Sequence, residues 1–196
     1  MYYFEDSQSR EHNVTRDIAQ TYLSTVLKEL ELSGKVIPMF EVQKLIYGAK
    51  GDVDLLLYYE PDTETESLLV ACEIKTIHLT SDGQLKSVKA KKRKTKIQLA
   101  NLQEDGFDYV WLLEFIVTEP ANSWFHPYAG DALFMETTTL ENSNIGHAKF
   151  QISAIAGKLE ADGGSIARRV IQKANRLPRR PQWENLMGVI RGKITV

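Results

Sequence analysis

The chain has 196 residues, 43% of them hydrophobic, and 24 Lys and Arg against 26 Asp and Glu give it a formal net charge of −2. That length fits one globular domain over residues 1–196, and so even a balance provides no bulk attraction to a polyanion, so a basic site has to be local. No run of about 18 apolar residues is present to span a bilayer, MYYFEDSQSREHN is unlike a secretory signal, and the single cysteine, Cys72, excludes an internal disulfide or a cysteine-built zinc site; a cytoplasmic protein without membrane association is expected.

From Asn13 to Leu32, Val14, Ile18, Tyr22, Leu23, Val26, Leu27 and Leu30 recur at spacings of three and four, which predicts an amphipathic helix ended by Ser33-Gly34. KVIPMFEVQKLI (35–46) reads as a strand, YGAKG as a turn, and DVDLLLYYE as a second strand. The charged insert PDTETES is a hairpin loop, so the following LLVACEIKTIHL, a third strand over 67–78, lies antiparallel to the second. KSVKAKKRKTK (86–96) carries seven bases and no acid, and it leads into KTKIQLANLQEDG, a helix by the spacing of Ile97, Leu99 and Leu102 with Gly106 as its stop. YVWLLEFIV (109–117) is apolar enough to be a strand covered on both faces.

Residues 119–146 read as polar loops with aromatic anchors, AKFQISAI (148–155) as another strand, and SIARRVIQKANR as a helix before a basic tail. The expected class is therefore α/β, a mixed central sheet flanked by helices in the order α-β-β-β-α-β, with a C-terminal extension over about 119–196. There is no internal repeat.

Two of these strands carry charge inside apolar sequence. Alternation puts Glu73 and Lys75 on one face of the third strand, and Asp52 and Asp54 on one face of the second. If the strands are neighbours, Asp54 and Glu73 converge, and two close carboxylates repel unless one is protonated or a cation lies between them. A hard divalent ion, Mg²⁺ or Mn²⁺, suits such oxygens and completes its shell with water and phosphate. The Lys75 ammonium would then stabilise charge developing during attack by metal-bound water.

GDVDLLLYYE followed by CEIK resembles the signature of the PD-(D/E)xK nucleases, the restriction-endonuclease-like superfamily, over about residues 10–118. The resemblance implies a metal-dependent nuclease, most simply a DNA endonuclease. Asp54 and Glu73 would be metal ligands together with the Ile74 carbonyl, Lys75 would assist the attacking water, and Gln98 on the following helix would reach the active site. The lysine-rich segment, with Lys89, Lys91, Lys92, Arg93, Lys94 and Lys96, would grip the phosphate backbone of nucleic acid. Partners beyond the substrate would be a second copy of the chain or a larger nuclease complex. The alternative is a nucleic-acid-binding subunit of a restriction, transposition or repair complex that keeps the fold without cutting alone.

Each residue also has a plainer reading. Glu73 and Lys75 make a salt bridge on a solvated face, Asp52 opens its strand, Gln98 is a polar residue on a helix shoulder, and Glu11 either serves the helix dipole or, as in some relatives of that superfamily, reaches the metal. His12, His78, His126 and His147 read as surface or loop residues, and Cys72 as a small buried apolar side chain. Trp124, Phe125 and Tyr128 close a loop over the core or stack on bases.

Overall fold

The computed structural model describes residues 16–44, 51–62, 66–78, 88–118, 131–155, 158–159, 167–181 and 183–194, a few of them by backbone alone. Residues 16–21 are helical and pass through a turn at Tyr22 into α1 (Leu23–Glu29). The predicted terminator at Gly34 is not the one used. Glu31 takes a left-handed backbone (φ 56°), its N–H donates to the Lys28 carbonyl at 3.2 Å, and the Leu32 N–H donates to the Leu27 carbonyl at 3.2 Å. This is a Schellman closure, with Glu31 at the position that glycine usually fills. Gly34 instead opens β1 at φ 135°, where a Cβ would lie 2.3 Å from the Glu60 carbonyl oxygen.

Strands β1 (Gly34–Gln43), β2 (Asp52–Pro61) and β3 (Leu68–His78) form an antiparallel meander. Helix α2 (Val88–Asp105) then returns the chain, so that β4 (Tyr109–Thr118) lies parallel to β3. Gly106, at φ 94°, stops α2 as its sequence predicts. The basic segment lies inside this helix from Val88 onward, and the buried stripe is Thr95, Leu99 and Leu102; Ile97 is 53% exposed. Two residues from Leu99, it faces another way round the helix.

A short 3-10 turn (Asp131–Phe134) precedes β5 (Gly146–Ile155), which is parallel to β4, and β6 (Lys158–Leu159) is antiparallel to β5. Residues 165–176 were expected to be helical, but the structure makes β7 (Ala167–Gln172), antiparallel to β5. The segment alternates: Arg168 and Val170 face α1's side, where Arg168 pairs with Glu29, while Arg169 and Ile171 face the other. An open edge of β5 rewards that period of two over a helical one. The basic tail contains a helix absent from the sequence reading, α3 (Trp183–Ile194), whose Trp183, Leu186, Met187 and Ile190 are buried.

The result is a seven-stranded mixed sheet in an α/β protein, with helices on both faces. On one face, residues 16–29 pack on Leu55, Leu57, Val70, Cys72, Leu113, Phe115 and Phe150. On the other, α2 and α3 cover Leu56, Tyr58, Leu69, Ala71, Val110 and Leu112. None of the helices among the described residues is long and apolar enough to cross a membrane.

Candidate active site

The sheet forks between β2 and β3. Their pairing runs from Tyr59 opposite Leu68 to Leu55 opposite Cys72 and stops there. Beyond that point β3 pairs only with β4, as far as His78 opposite Val117, and β2 only with β1, as far as Asp52 opposite Gln43. Asp54, Glu73 and Lys75 stand in the mouth of the fork. The unpaired edge of β3 is closed by Asp54, whose Oδ2 accepts the Ile74 backbone N–H at 2.7 Å.

The expectation that Asp52 and Asp54 share one regular strand face is modified here. Val42 and Val53 pack on α2's side, whereas Phe40 and Leu55 pack on the opposite side, so the alternation inverts across Glu41 and Asp54. Glu41 has a left-handed backbone (φ 51°) at the position opposite Asp54. Asp54 therefore sits between the faces, and its charge acts on two neighbours that point in opposite directions, Cys72 and Glu73.

Glu73 is 1% exposed, and its Oε1 accepts the Lys75 ammonium at 2.5 Å. Burial, and then the charge of Asp54, push the Glu73 carboxyl up to about 7, against the opposing pull of Lys75 and, more weakly, Lys44. Burial also raises the Cys72 thiol, with Asp54 adding to it. Lys44 itself is buried and donates to Asp105 Oδ2 at 2.6 Å, which ties the end of β1 to the end of α2. No sequence signal marked it, since a lysine beside a turn reads as solvated.

Gln98 lies on the sheet side of α2, one turn from the buried Thr95, and its Oε1 is buried with no hydrogen-bond partner among the described residues. Arg93 and Lys94 are exposed, while Lys96 is held by Glu141 at 2.6 Å. Lys89, Lys91 and Lys92 fall on the helix, but their side chains lie outside the described part, as do Glu11, His12, Lys86, Trp124, Phe125, His126 and Tyr128 altogether. Asp52 is exposed at the start of β2, and Cys72 is buried.

His147 departs from its expected place at the surface. It is 3% exposed on β5, and its Nε2 lies 2.8 Å from Glu114 Oε2 on β4. Thr137 donates its hydroxyl to the same carboxylate, and Thr138 its backbone N–H at 3.3 Å. Burial works to raise the Glu114 carboxyl, but His147 and the two threonines together hold it below its ordinary range. Apolar YVWLLEFIV hid this acid, because a lone Glu in a buried strand has no recognisable partner until β5 is aligned with it.

The donor set at the fork fits a hard divalent cation. It offers two carboxylates, one of which is forced towards protonation partly by the other, and a cation between them would reverse that cost. Among the described residues there is no cluster of three or more His, Cys, Asp and Glu that could hold a metal. At the fork, Asp54 and Glu73 would supply two side-chain ligands, with waters and substrate oxygens filling remaining positions, as Mg²⁺ commonly accepts. The chain is thus an α/β protein with a paired-acid and lysine site at a sheet fork. No protein-family model matches it, and a search of curated proteins finds no match either.

Proposed function

We propose that this protein is a divalent-metal-dependent nuclease with a restriction-endonuclease-like fold, hydrolysing phosphodiester bonds in DNA. The observation that carries the reading is the acid pair at the fork: Glu73, buried and beside Asp54, is pushed up to about 7 and has Lys75 at 2.5 Å. A structural ion pair has no need of a second acid acting against it. The strand order, with an antiparallel meander followed by a parallel β4, supports the same fold.

Asp54 and Glu73 would hold Mg²⁺ or Mn²⁺, with the Ile74 carbonyl as the expected third protein ligand. When bound, the ion supplies an activated water and neutralises charge on the phosphate. Asp54 is oriented by the Ile74 N–H, which fixes one oxygen and so the direction of the other. Lys75, with a side chain 24% exposed, reaches from Glu73 towards solvent and can donate to a phosphate oxygen or to the attacking water. Gln98 presents a buried acceptor on the helix above the same face. The exposed Arg93 and Lys94 on α2 hold the backbone without reading sequence.

Incubation with supercoiled, linear, single-stranded and branched DNA, in Mg²⁺, Mn²⁺ or EDTA, tests the reading. Cleavage that requires the divalent ion and is lost in Glu73→Gln is the expected result. Salt-dependent binding with no cleavage under any condition would make the protein a binding subunit of a larger assembly.

A further inference from the structure

A line of charged residues crosses the sheet away from the fork. Lys75 on β3 is opposite Glu114 on β4, Glu114 is opposite Lys149 on β5, and Lys149 is opposite Arg169 on β7. Directly opposed residues share a face, so all four lie on the α2 side of the sheet. The middle of this line is roofed: Thr137 and Thr138 cover Glu114, and Lys149 donates to the Met135 carbonyl at 2.8 Å. Its far end is open. There the Arg169 guanidinium lies 4.5 Å from the centre of the Phe134 ring, and Phe134 is 73% exposed.

One exposed apolar side chain is ordinary, and Phe134 alone would carry nothing. Its place matters. It ends a line that begins at Lys75, and three interstrand spacings of ~4.8 Å put the Arg169 and Lys75 backbones about 14 Å apart. Arg169 covers one side of the ring and sets a cation beside it, so the pair offers an aromatic face and a phosphate ligand together. A π-face beside a cation is the element by which proteins hold unpaired bases irrespective of sequence. A paired base in a duplex has its faces stacked already and cannot use it.

We propose that Phe134 and Arg169 form a stacking platform for an unpaired base of the nucleic-acid strand held at the β2–β3 fork, so that the substrate includes a single-stranded segment. The inference rests on the nucleic-acid reading of the fork but not on catalysis there. It is therefore tested in EDTA, by fluorescence anisotropy of the full chain with a labelled single-stranded oligonucleotide and with the corresponding duplex.

Phe134→Leu keeps an apolar side chain and removes the ring. It should weaken single-strand binding by roughly five- to hundredfold, the range for losing one stacked base, with duplex binding unchanged and circular dichroism like the wild type. Phe134→Trp should restore single-strand binding. Arg169→Ala should weaken it too and lower its salt dependence. Unchanged single-strand affinity in Phe134→Leu, equal losses on both DNAs, or a wild-type protein that binds no single strand would overturn the proposal. Cleavage by the wild type is scored separately, so a failed platform and an inactive fork give different results.

Discussion

At Glu73 two demands conflict. The side chain is buried, which favours its neutral form, yet holding a cation requires the charged one. An ordinary glutamate titrates near 4.5, and here the folded value is about 7, so between these pH values the folded state binds more protons than the unfolded chain. Stability without metal therefore falls as pH rises through that window. Glu73→Gln cannot titrate. Thermal melts in EDTA should show the variant gaining on the wild type from pH 5 to pH 8, by on the order of 2–3 kcal/mol, while cleavage in Mg²⁺ disappears. Lys75, partly exposed, can be rehydrated when its partner becomes neutral. A variant that melts earlier than the wild type at pH 8 would mean that the pair is a structural salt bridge. Asp54→Asn should likewise abolish cleavage and move the Glu73 titration downward, followed by carboxyl carbon NMR. A second residue-scale outcome concerns Glu31, which holds a left-handed backbone at the end of α1. Glu31→Gly should stabilise the fold by about 1 kcal/mol, because the strain it removes exceeds what an exposed Lys173 ion pair contributes. An unchanged or lowered melting temperature would count against that ranking.

Strands and helices differ in how openly the sequence announces them. DVDLLLYYE, LLVACEIKTIH and YVWLLEFIV were legible because each is a dense apolar run bounded by turn residues, and Glu73 and Lys75 stood out against that background. The fork was not legible. It depends on where β2–β3 pairing stops and on the backbone of Glu41, neither of which leaves a mark in residue type. RRVIQ misled because four apolar or basic residues fit both a helix and an edge strand, and only the open side of β5 decides between them. Helix α2 has its own test. Replacing Arg93 and Lys94 by Ala should weaken DNA binding across all sequences and flatten its dependence on salt, whereas Lys96→Ala should do less, since Glu141 already holds that ammonium. An unchanged salt slope in the Arg93 and Lys94 variant would reduce α2 to a solvated face. In β5, Gly146 lies opposite Trp111, and a Cβ there would meet the indole ring at 2.3 Å. Gly146→Ala should lower stability by about 1–3 kcal/mol, measured by urea denaturation; a neutral effect would show that Trp111 can move aside.

Across the whole molecule, four of the six bases in RRVIQKANRLPRR (168–180) serve the fold. Arg168 pairs with Glu29, Lys173 with Glu31, and Arg176 and Arg179 both with Glu66 and Asp108. These bases are spent on acids of distant elements, which composition cannot reveal and which explains why net charge near zero coexists with local basic runs. Asp108 is their meeting point. It is fully buried, and its Oδ2 accepts both the Leu69 N–H and the Trp183 indole N–H at 2.9 Å, while Arg179 donates to Oδ1 at 3.2 Å and stacks over Trp183.

One carboxylate thus joins the start of β3, the loop before β4 and the start of α3. A core and an extension sharing a buried anion cannot unfold independently, because whichever left first would strand the charge without its donors, at about 3–5 kcal/mol. The C-terminal residues therefore belong to the same cooperative unit as the sheet that carries the fork. Calorimetry should record a single endotherm whose van't Hoff and calorimetric enthalpies agree, and Asp108→Ala, which removes the shared charge, should lower that peak and bring the van't Hoff enthalpy below the calorimetric one.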